Sequence, residues 1–517
     1  MQSTAQRGKA PALLLLAAAS LLIPSCSNKD RDVLFHAIDV VPYGSLDPSI
    51  EQSEGTGILH NVYETLTVYD DTAMQVKPCL AESWTCNATM TEWTFHLRQD
   101  VFFHDGKPLT AQAVKLSIER TVALGMGASY IWDCLDAIEA PDKLTVTFKL
   151  KYASSIPLIA SSSSAAYIFS PQAMDRTEDW FNEGNDAGSG PYCIAAASKN
   201  SVALSAFPGY RNVWPAKKFK KIFIAEIPDR TRRTDYLGKK EADIVFFPDM
   251  DKLSEMKGVK LQMGSSWLSV IMMFNTQKSP CSNEDFRKAL AYAFPYSELT
   301  DDILKGQGKP SKGMIPAGLW GYDDSLPSYS RDLDKAREHL EKSGLDGELL
   351  TLTYQPGRDE LDAAIELFKQ NLEKIGVKLL PLKIEWPRQQ AVAMSENEQA
   401  RQDIMIMDWF PDYANPEGTF HPLLADQNLD SGFNYCYLKD TEIEQDIRLA
   451  SMLAPTHQEE AAKIYGRVQH KVLDRCYLLF LYDTATPIAY RSNIGPVRIN
   501  PAYELSLYYY DIERLHN

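Results

Sequence analysis

The chain has 517 residues, 44% of them hydrophobic and 24% charged, and a formal net charge of −16. That acidic balance argues against nucleic acid or anionic lipid as a partner. The length exceeds the roughly 250–300 residues that one hydrophobic core supports, so two or three lobes are expected.

Residues 1–25 read as a leader rather than as part of the fold. Arg7 and Lys9 form a short positive start, and Ala12 to Ile23 is apolar but short for a membrane-spanning helix. The run ends at Leu22-Ile-Pro-Ser-Cys26, which resembles a lipoprotein processing site with Cys26 as the lipidated residue. Ser27 to Asp32 is polar, as a membrane tether would be. Removing Arg7 and Lys9 takes 53 basic residues to 51, against 69 acidic ones, for a mature net charge of −18. No later apolar run is long enough to cross a bilayer, so an exported chain held only by its lipid is expected.

Trp93, Phe95 and Leu97 alternate with Thr94, His96 and Arg98, the period of a half-buried strand. Asp105-Gly106 supplies a turn, and Thr110 is placed to cap a helix carrying Ala113, Val114 and Ile118. Ser282 is read as the cap of a helix whose Phe286, Ala289, Leu290 and Ala293 share one face. A second helix carries Leu333, Ala336 and Leu340 and stops at Gly344. Strand Leu349 to Tyr354, a helix through Leu361 and Leu372 to Gly376, and strand Val377 to Ile384 form a βαβ unit. Asp403 to Asp408 and Tyr477 to Tyr482 read as short buried strands, with helices around Ile447 and Val468 between them. The class is therefore mixed α/β. Neither an internal repeat nor a low-complexity tract beyond Ser161 to Ser164 is present.

Seven cysteines follow Cys26, at positions 79, 86, 134, 193, 281, 436 and 476, none in a CxxC spacing. Export permits disulfides, and Cys79 with Cys86, or Cys436 with Cys476, are candidate pairs. Motifs for catalysis are missing: the chain has no GxSxG, HExxH or Walker A sequence, and the SxxK at Ser254 to Lys257 lacks its partner motifs. An enzyme is not expected, no pair of residues has metal-ligand spacing, and no cofactor motif is found.

Several blocks resemble the family 5 extracellular solute-binding proteins, the peptide- and nickel-type receptors of ABC importers. They are Leu80-Ala-Glu-Ser-Trp84 through Phe102-Phe-His-Asp-Gly106 to Ala111, Asn61-Val-Tyr-Glu-Thr-Leu66, Gly188-Ser-Gly-Pro-Tyr192, Tyr210-Arg-Asn212, Ala242-Asp-Ile244 and Phe274-Asn-Thr276. The resemblance implies a two-lobed, flytrap-like binding fold with an extra subdomain. Lobe I would comprise 26–75, 188–275 and 487–517, the inserted subdomain 76–187, and lobe II 276–486.

The resemblance also places the ligand. Asp408-Trp-Phe-Pro-Asp412-Tyr-Ala-Asn-Pro416 is similar to a family element in which the aspartate at the Asp412 position holds a peptide's α-ammonium group. Trp409 and Tyr413 are expected in the cleft wall, where aromatic rings bury ligand surface with little entropy lost. Loop carboxylates also serve as turns and caps, so a structural role for Asp412 stands beside this one. Asn415 occupies a position that is commonly acidic in the family. Arg358, or else Arg388 or Arg401, is the candidate for the ligand carboxylate, since a guanidinium grips it with two bonds. Asn61 and Tyr63 lie near the cleft in the family, with helix packing as the competing reading. His96 and His104 are expected to satisfy local hydrogen bonds. The implied protein is a monomeric, lipid-anchored receptor in the periplasm or on the outer face of the cell membrane. It would pass short peptides to a permease served by separate ATPase subunits. A nickel chelate or an oligosaccharide is the alternative solute, and a cell-envelope hydrolase the alternative class.

Overall fold

The computed structural model describes residues 32–264, 266–425, 433–503 and 505–515; the leader and the Cys26 lipidation site lie outside the described residues. Three main sheets carry the fold. The first has seven strands in the order Val259–Gly264, Thr486–Arg491, Ile244–Phe246, Val33–Ile38, Lys221–Glu226, Ser201–Ala206 and Tyr192–Ser198. The second has six, in the order Gly308–Lys309, Leu478–Thr484, Ser269–Phe274, Ile404–Trp409, Leu349–Tyr354 and Lys378–Lys383. The third is four-stranded and runs Ala81–Cys86, Glu92–Leu97, Thr145–Leu150 and Leu135–Glu139. Two lobes, each built on one of the larger sheets, carry the four-stranded sheet as an appended subdomain.

Local chemistry explains why these elements form. In Glu92–Leu97 the residues Trp93, Phe95 and Leu97 are buried and alternate with outward ones. Thr110 caps the helix Ala111–Leu124 by accepting the Ala113 amide at 3.2 Å. Gly106 adopts φ +82°, the left-handed value that a side chain resists, in the turn closed by Asp105. The helix Glu284–Ala293 is capped by Asn283 rather than by Ser282, because the Asn283 side chain reaches the Phe286 amide at 3.1 Å. Leu333–Ser343 ends at a left-handed Gly344, and Leu349–Tyr354, Asp359–Glu373 and Lys378–Lys383 form the expected parallel βαβ unit.

Ser269–Phe274 is buried on both faces: Val270, Met272 and Phe274 enter one core, Ile271 and Met273 the other. Such a strand belongs at the centre of a covered sheet. It pairs with Ile404–Trp409 and Leu478–Thr484, so it lies in the second sheet and not in the first lobe, where a 188–275 segment would put it. The chain therefore crosses between the lobes twice, side by side: once between Gly264 and Ser269, and once between Thr484 and Thr486. The second crossing leans on the first through Thr484, whose amide donates to the Leu268 carbonyl at 2.9 Å. Among the described residues no helix is long and apolar enough to cross a membrane.

Neither candidate disulfide forms. The Cys79 sulfur sits near Glu64 and Arg211, and Cys86 is exposed. Cys436 points at the Asn434 side chain and Cys476 at the Arg287 carbonyl, in each case into its own pocket. Burial pushes the Cys79, Cys134, Cys436 and Cys476 thiols up to about 12, which keeps them protonated and unreactive. We expect a thiol reagent to label Cys86 first in the native protein, then half-buried Cys193, and to reach the other five only on unfolding. A mass-mapped labelling series checks this, and a linked pair in the non-reduced digest would contradict it.

Candidate ligand-binding site

Ile404–Trp409 sends Ile404 and Ile406 into one core and Met405, Met407 and Trp409 into the other, so this central strand is anchored on both sides. It runs parallel to Leu349–Tyr354. Both strands release loops at their carboxyl ends, the edge where open α/β sheets bind ligands. One loop carries Arg358, the other Asp412.

Asp412 is half-buried and joins two parts of the molecule. Its carboxylate accepts a short hydrogen bond from the Tyr130 hydroxyl, and its carbonyl accepts one from Ser162 Oγ at 2.6 Å. Both partners come from the segment that follows the four-stranded sheet's first hairpin. Among the described residues no basic side chain pairs with Asp412. Burial without a counter-charge pushes its carboxyl up to about 7, against the opposing pull of the Tyr130 hydrogen bond. Asn415 is buried and accepts the Glu417 amide at 3.0 Å, which starts the helix Glu417–Leu424 behind the loop.

Arg358 precedes the helix Asp359–Glu373. Its Nη1 donates to Asp408 Oδ2 at 2.7 Å, its Nη2 donates to the Tyr482 hydroxyl at 2.6 Å, and its Nε donates to Glu360. One N–H on each terminal nitrogen is left without a partner among the described residues, and the side chain is 26% exposed. Asp39 follows the first lobe's central strand, pairs with Arg233 at 3.9 Å and lies within the electrostatic field of Arg358; burial raises its carboxyl, while Arg233, Arg230 and Arg358 oppose the rise. The two lobes thus face each other at Arg358. Arg388 is exposed, and Arg401 is committed to the Ser395 carbonyl at 2.8 Å and to the Tyr437 ring.

Trp409 and Tyr413 are more deeply placed than a cleft wall requires. Trp409 is 8% exposed, donates its indole N–H to the Gly418 carbonyl at 3.2 Å, and faces a small apolar pocket with Trp267, Met314 and Leu423. Tyr413 is 6% exposed and donates to Glu417 Oε2 at 3.1 Å, in the core shared with the appended subdomain.

Asn61 and Tyr63 are framework, a correction to their reading as ligand contacts. Asn61 is fully buried: its amide nitrogen donates to the Gly57 and Leu507 carbonyls, and its oxygen accepts the Tyr509 amide at 2.8 Å. With those groups used, it ties the helix Thr56–Val62 to the C-terminal tail. Tyr63 is 1% exposed and packs on Tyr167 and Phe169. Gly188 touches the same helix end: a Cβ there would lie 2.0 Å from the Val62 carbonyl oxygen, so the Gly188-Ser-Gly-Pro motif is a close-approach requirement.

His96 is exposed on its sheet, whereas His104 is clamped. One ring nitrogen of His104 bonds Asp186 and the other the Gly190 carbonyl at 3.0 Å. Burial disfavours its cation, but the Asp186 and Cys193 side chains outweigh that and hold its pKa near about 10. His104, Asp186 and Cys193 are the grouping whose donor atoms lie within 4.8 Å of one another, an arrangement that spacing along the chain did not reveal. Both imidazole nitrogens already face acceptors, so the group acts as an ion-paired clamp between the appended subdomain and the first lobe. Tyr130, Ser162 and Asp39 also escaped the sequence reading, for they meet the site only through the chain's path.

Comparison with known proteins bears on the family and the fold. The profile of the bacterial extracellular solute-binding proteins, family 5 (middle), matches residues 75–431. The probable D,D-dipeptide-binding periplasmic protein DdpA of Escherichia coli (strain K12) is 27% identical over 96% of each chain. Heme-binding protein A of Haemophilus influenzae is 25% identical over 89% of this chain and 91% of its own. The fold matches that of the ABC transporter-associated periplasmic binding protein DppA from Helicobacter pylori, solved with the peptide STSA, at a TM-score of 0.82. The identity is 21%, and the match covers 94% of this chain and 98% of the other. Because the family profile matches more than half of its length, the chain belongs to the bacterial extracellular solute-binding proteins of family 5.

Proposed function

We propose that this chain is the substrate-binding lipoprotein of an ABC importer and that its ligand is a short peptide. The observation that carries the reading is the Asp412 carboxylate, which is held by Tyr130 and has no cation beside it among the described residues. A peptide's α-ammonium would supply that charge, and a charge-assisted bond of this kind is among the strongest a cleft can offer. Arg358 keeps two N–H groups for a ligand carboxylate. The paired crossings near Ser269 and Thr484 act as the hinge, so ligand contacts with both lobes favour the closed form. The receptor works as a monomer at the outer face of a membrane, anchored through Cys26, and delivers to a permease whose ATP hydrolysis occurs on other subunits.

A non-peptide solute on the same scaffold is the second reading. It is favoured by Arg358 being already neutralised by Asp408 and Glu360, which weakens its pull on a peptide carboxylate. Mass spectrometry of the protein from its own cell envelope tests both parts. We expect a diacylglyceryl-type mass on Cys26 and, under native conditions, released ligands whose masses match short amino-acid chains. A single non-peptide mass would overturn the peptide reading; an unmodified N-terminus would overturn the anchor.

A further inference from the structure

The first lobe's sheet has two ends, and the one away from the ligand edge is where the described chain begins. The Asp32 carbonyl accepts the Lys221 amide at 3.2 Å. Val33 pairs in parallel with Lys221, so Val33–Ile38 and Lys221–Glu226 start together at this end. The basic stretch Lys217-Lys-Phe-Lys-Lys221 leads into the second of these strands. Lys220 and Lys221 are exposed, and neither has an ion-pair partner among the described residues. Lys217 is 48% exposed and pairs with Glu513, which Lys218 also meets at 3.1 Å. Arg514 stands over the Phe219 ring and reaches Asp32 at 3.5 Å. Five basic side chains thus stand here against three acidic ones, Asp32, Asp511 and Glu513. Beside them Val213 is 78% exposed, and its carbonyl accepts the Tyr510 hydroxyl. The Tyr510 ring packs on half-buried Trp214 and carries the Lys218 ammonium 4.6 Å from its centre, which joins the apolar and basic groups into one patch.

Lysines around an open valine, with a tryptophan and a tyrosine at their side, suit a surface that rests on anionic headgroups: the ammonium groups meet phosphate while the rings sit at the water boundary. The sequence sets the reach. Six residue steps separate Cys26 from Asp32, at most about 20 Å of fully extended chain, or roughly two Debye lengths at physiological salt. We infer that this end of the first lobe docks on the anionic phospholipid headgroups of the membrane that holds the Cys26 lipid. The inference rests on the proposed anchor at Cys26. The acidic total of the chain opposes approach to such a membrane, and the short tether offsets this by holding the basic end toward it. Ile38 and Glu226 close the opposite ends of the same two strands, so the docked receptor turns its ligand edge away from the bilayer.

The test is hydrogen exchange on the full lipidated protein, placed in vesicles of phosphatidylcholine alone or mixed with phosphatidylglycerol. We expect the backbone amides of 212–221 to exchange about tenfold more slowly on the mixed vesicles, since each lysine near such a surface adds roughly fivefold to the docked population. High salt should remove the difference. The double variant Lys220→Glu with Lys221→Glu changes two exposed side chains without partners and should bring the rates on the two vesicles to within about twofold. Equal exchange of the parent protein on both vesicles, or protection that survives in the variant, would overturn the docking. Protection that appears only when the vesicles also carry the permease would assign this end to a protein partner and overturn it too. Protein recovered from its envelope without a lipid mass would remove the anchor beneath the inference, a failure that intact mass registers separately from exchange.

Discussion

Replacing Asp412 with alanine will weaken binding of free dipeptides by about 2–5 kcal/mol, or roughly 30- to several-thousand-fold, and will leave N-acetylated dipeptides nearly unaffected. The range is that for removing one partner of a desolvated, hydrogen-bonded charge pair. Asp412 fits the case because its carboxylate is half-buried, fixed by Tyr130 and, among the described residues, without a basic partner. The same residue sets a pH dependence. Its carboxyl sits at about 7 in the empty protein, and bound ammonium must lower it. Ligand binding then requires a proton to leave below that value, so affinity should fall by up to about tenfold per pH unit as pH drops from 7. Above about 8 the ligand amine deprotonates and affinity falls again. Titration of one dipeptide between pH 5 and 9 checks both limbs. Equal losses for free and acetylated ligands, or a flat acid limb, would remove Asp412 from the ammonium role.

Glu64→Ala will destabilise the fold by about 3–5 kcal/mol, the usual cost of stranding a buried charge. Glu64 and Arg211 are 5% and 12% exposed and meet through two bonds, Arg211 Nη1 to Oε2 at 2.7 Å and Nη2 to Oε1 at 2.6 Å. Ser189 donates to the same carboxylate at 3.0 Å. Three sequence blocks, around Asn61, Ser189 and Tyr210, thus converge on one carboxylate. Its loss leaves a guanidinium with no counter-charge. The paired change Glu64→Met with Arg211→Met should recover most of the stability, because apolar replacement of a whole buried pair is close to neutral. Urea denaturation of the three proteins measures this; a single variant as stable as the parent would show that the pair contributes nothing.

Legibility followed the range of the interaction. The alternation in Trp93-Thr-Phe-His-Leu97, the Thr110 cap, the Gly344 stop and the βαβ unit at 349–383 are set by neighbours within a few residues, and they form as read. The cap at Asn283 shows the limit of this precision: Ser282 and Asn283 are both good caps, and one residue of register decided between them. Asn61 shows a different limit. The family resemblance placed it near the cleft, but the Tyr509 amide and Leu507 carbonyl, far along the chain, together with the Gly57 carbonyl use its side chain completely.

The sequence by itself determined the mixed α/β class, the family, and the placing of Asp412 on a loop after a buried strand, because each depends on residue order and short-range periodicity. Only the tertiary structure decided that Tyr130 holds Asp412, that Arg358 is already paired with Asp408, and that the cysteines lie apart. It also moved Ser269–Phe274 into the second sheet. A strand that is apolar from Val270 to Phe274 suits the centre of either covered sheet, so those residues carry no preference. The partners of a buried charge or thiol are chosen by the path of the chain through space, and that path brings Tyr130 and Asp412 together across 282 positions of sequence.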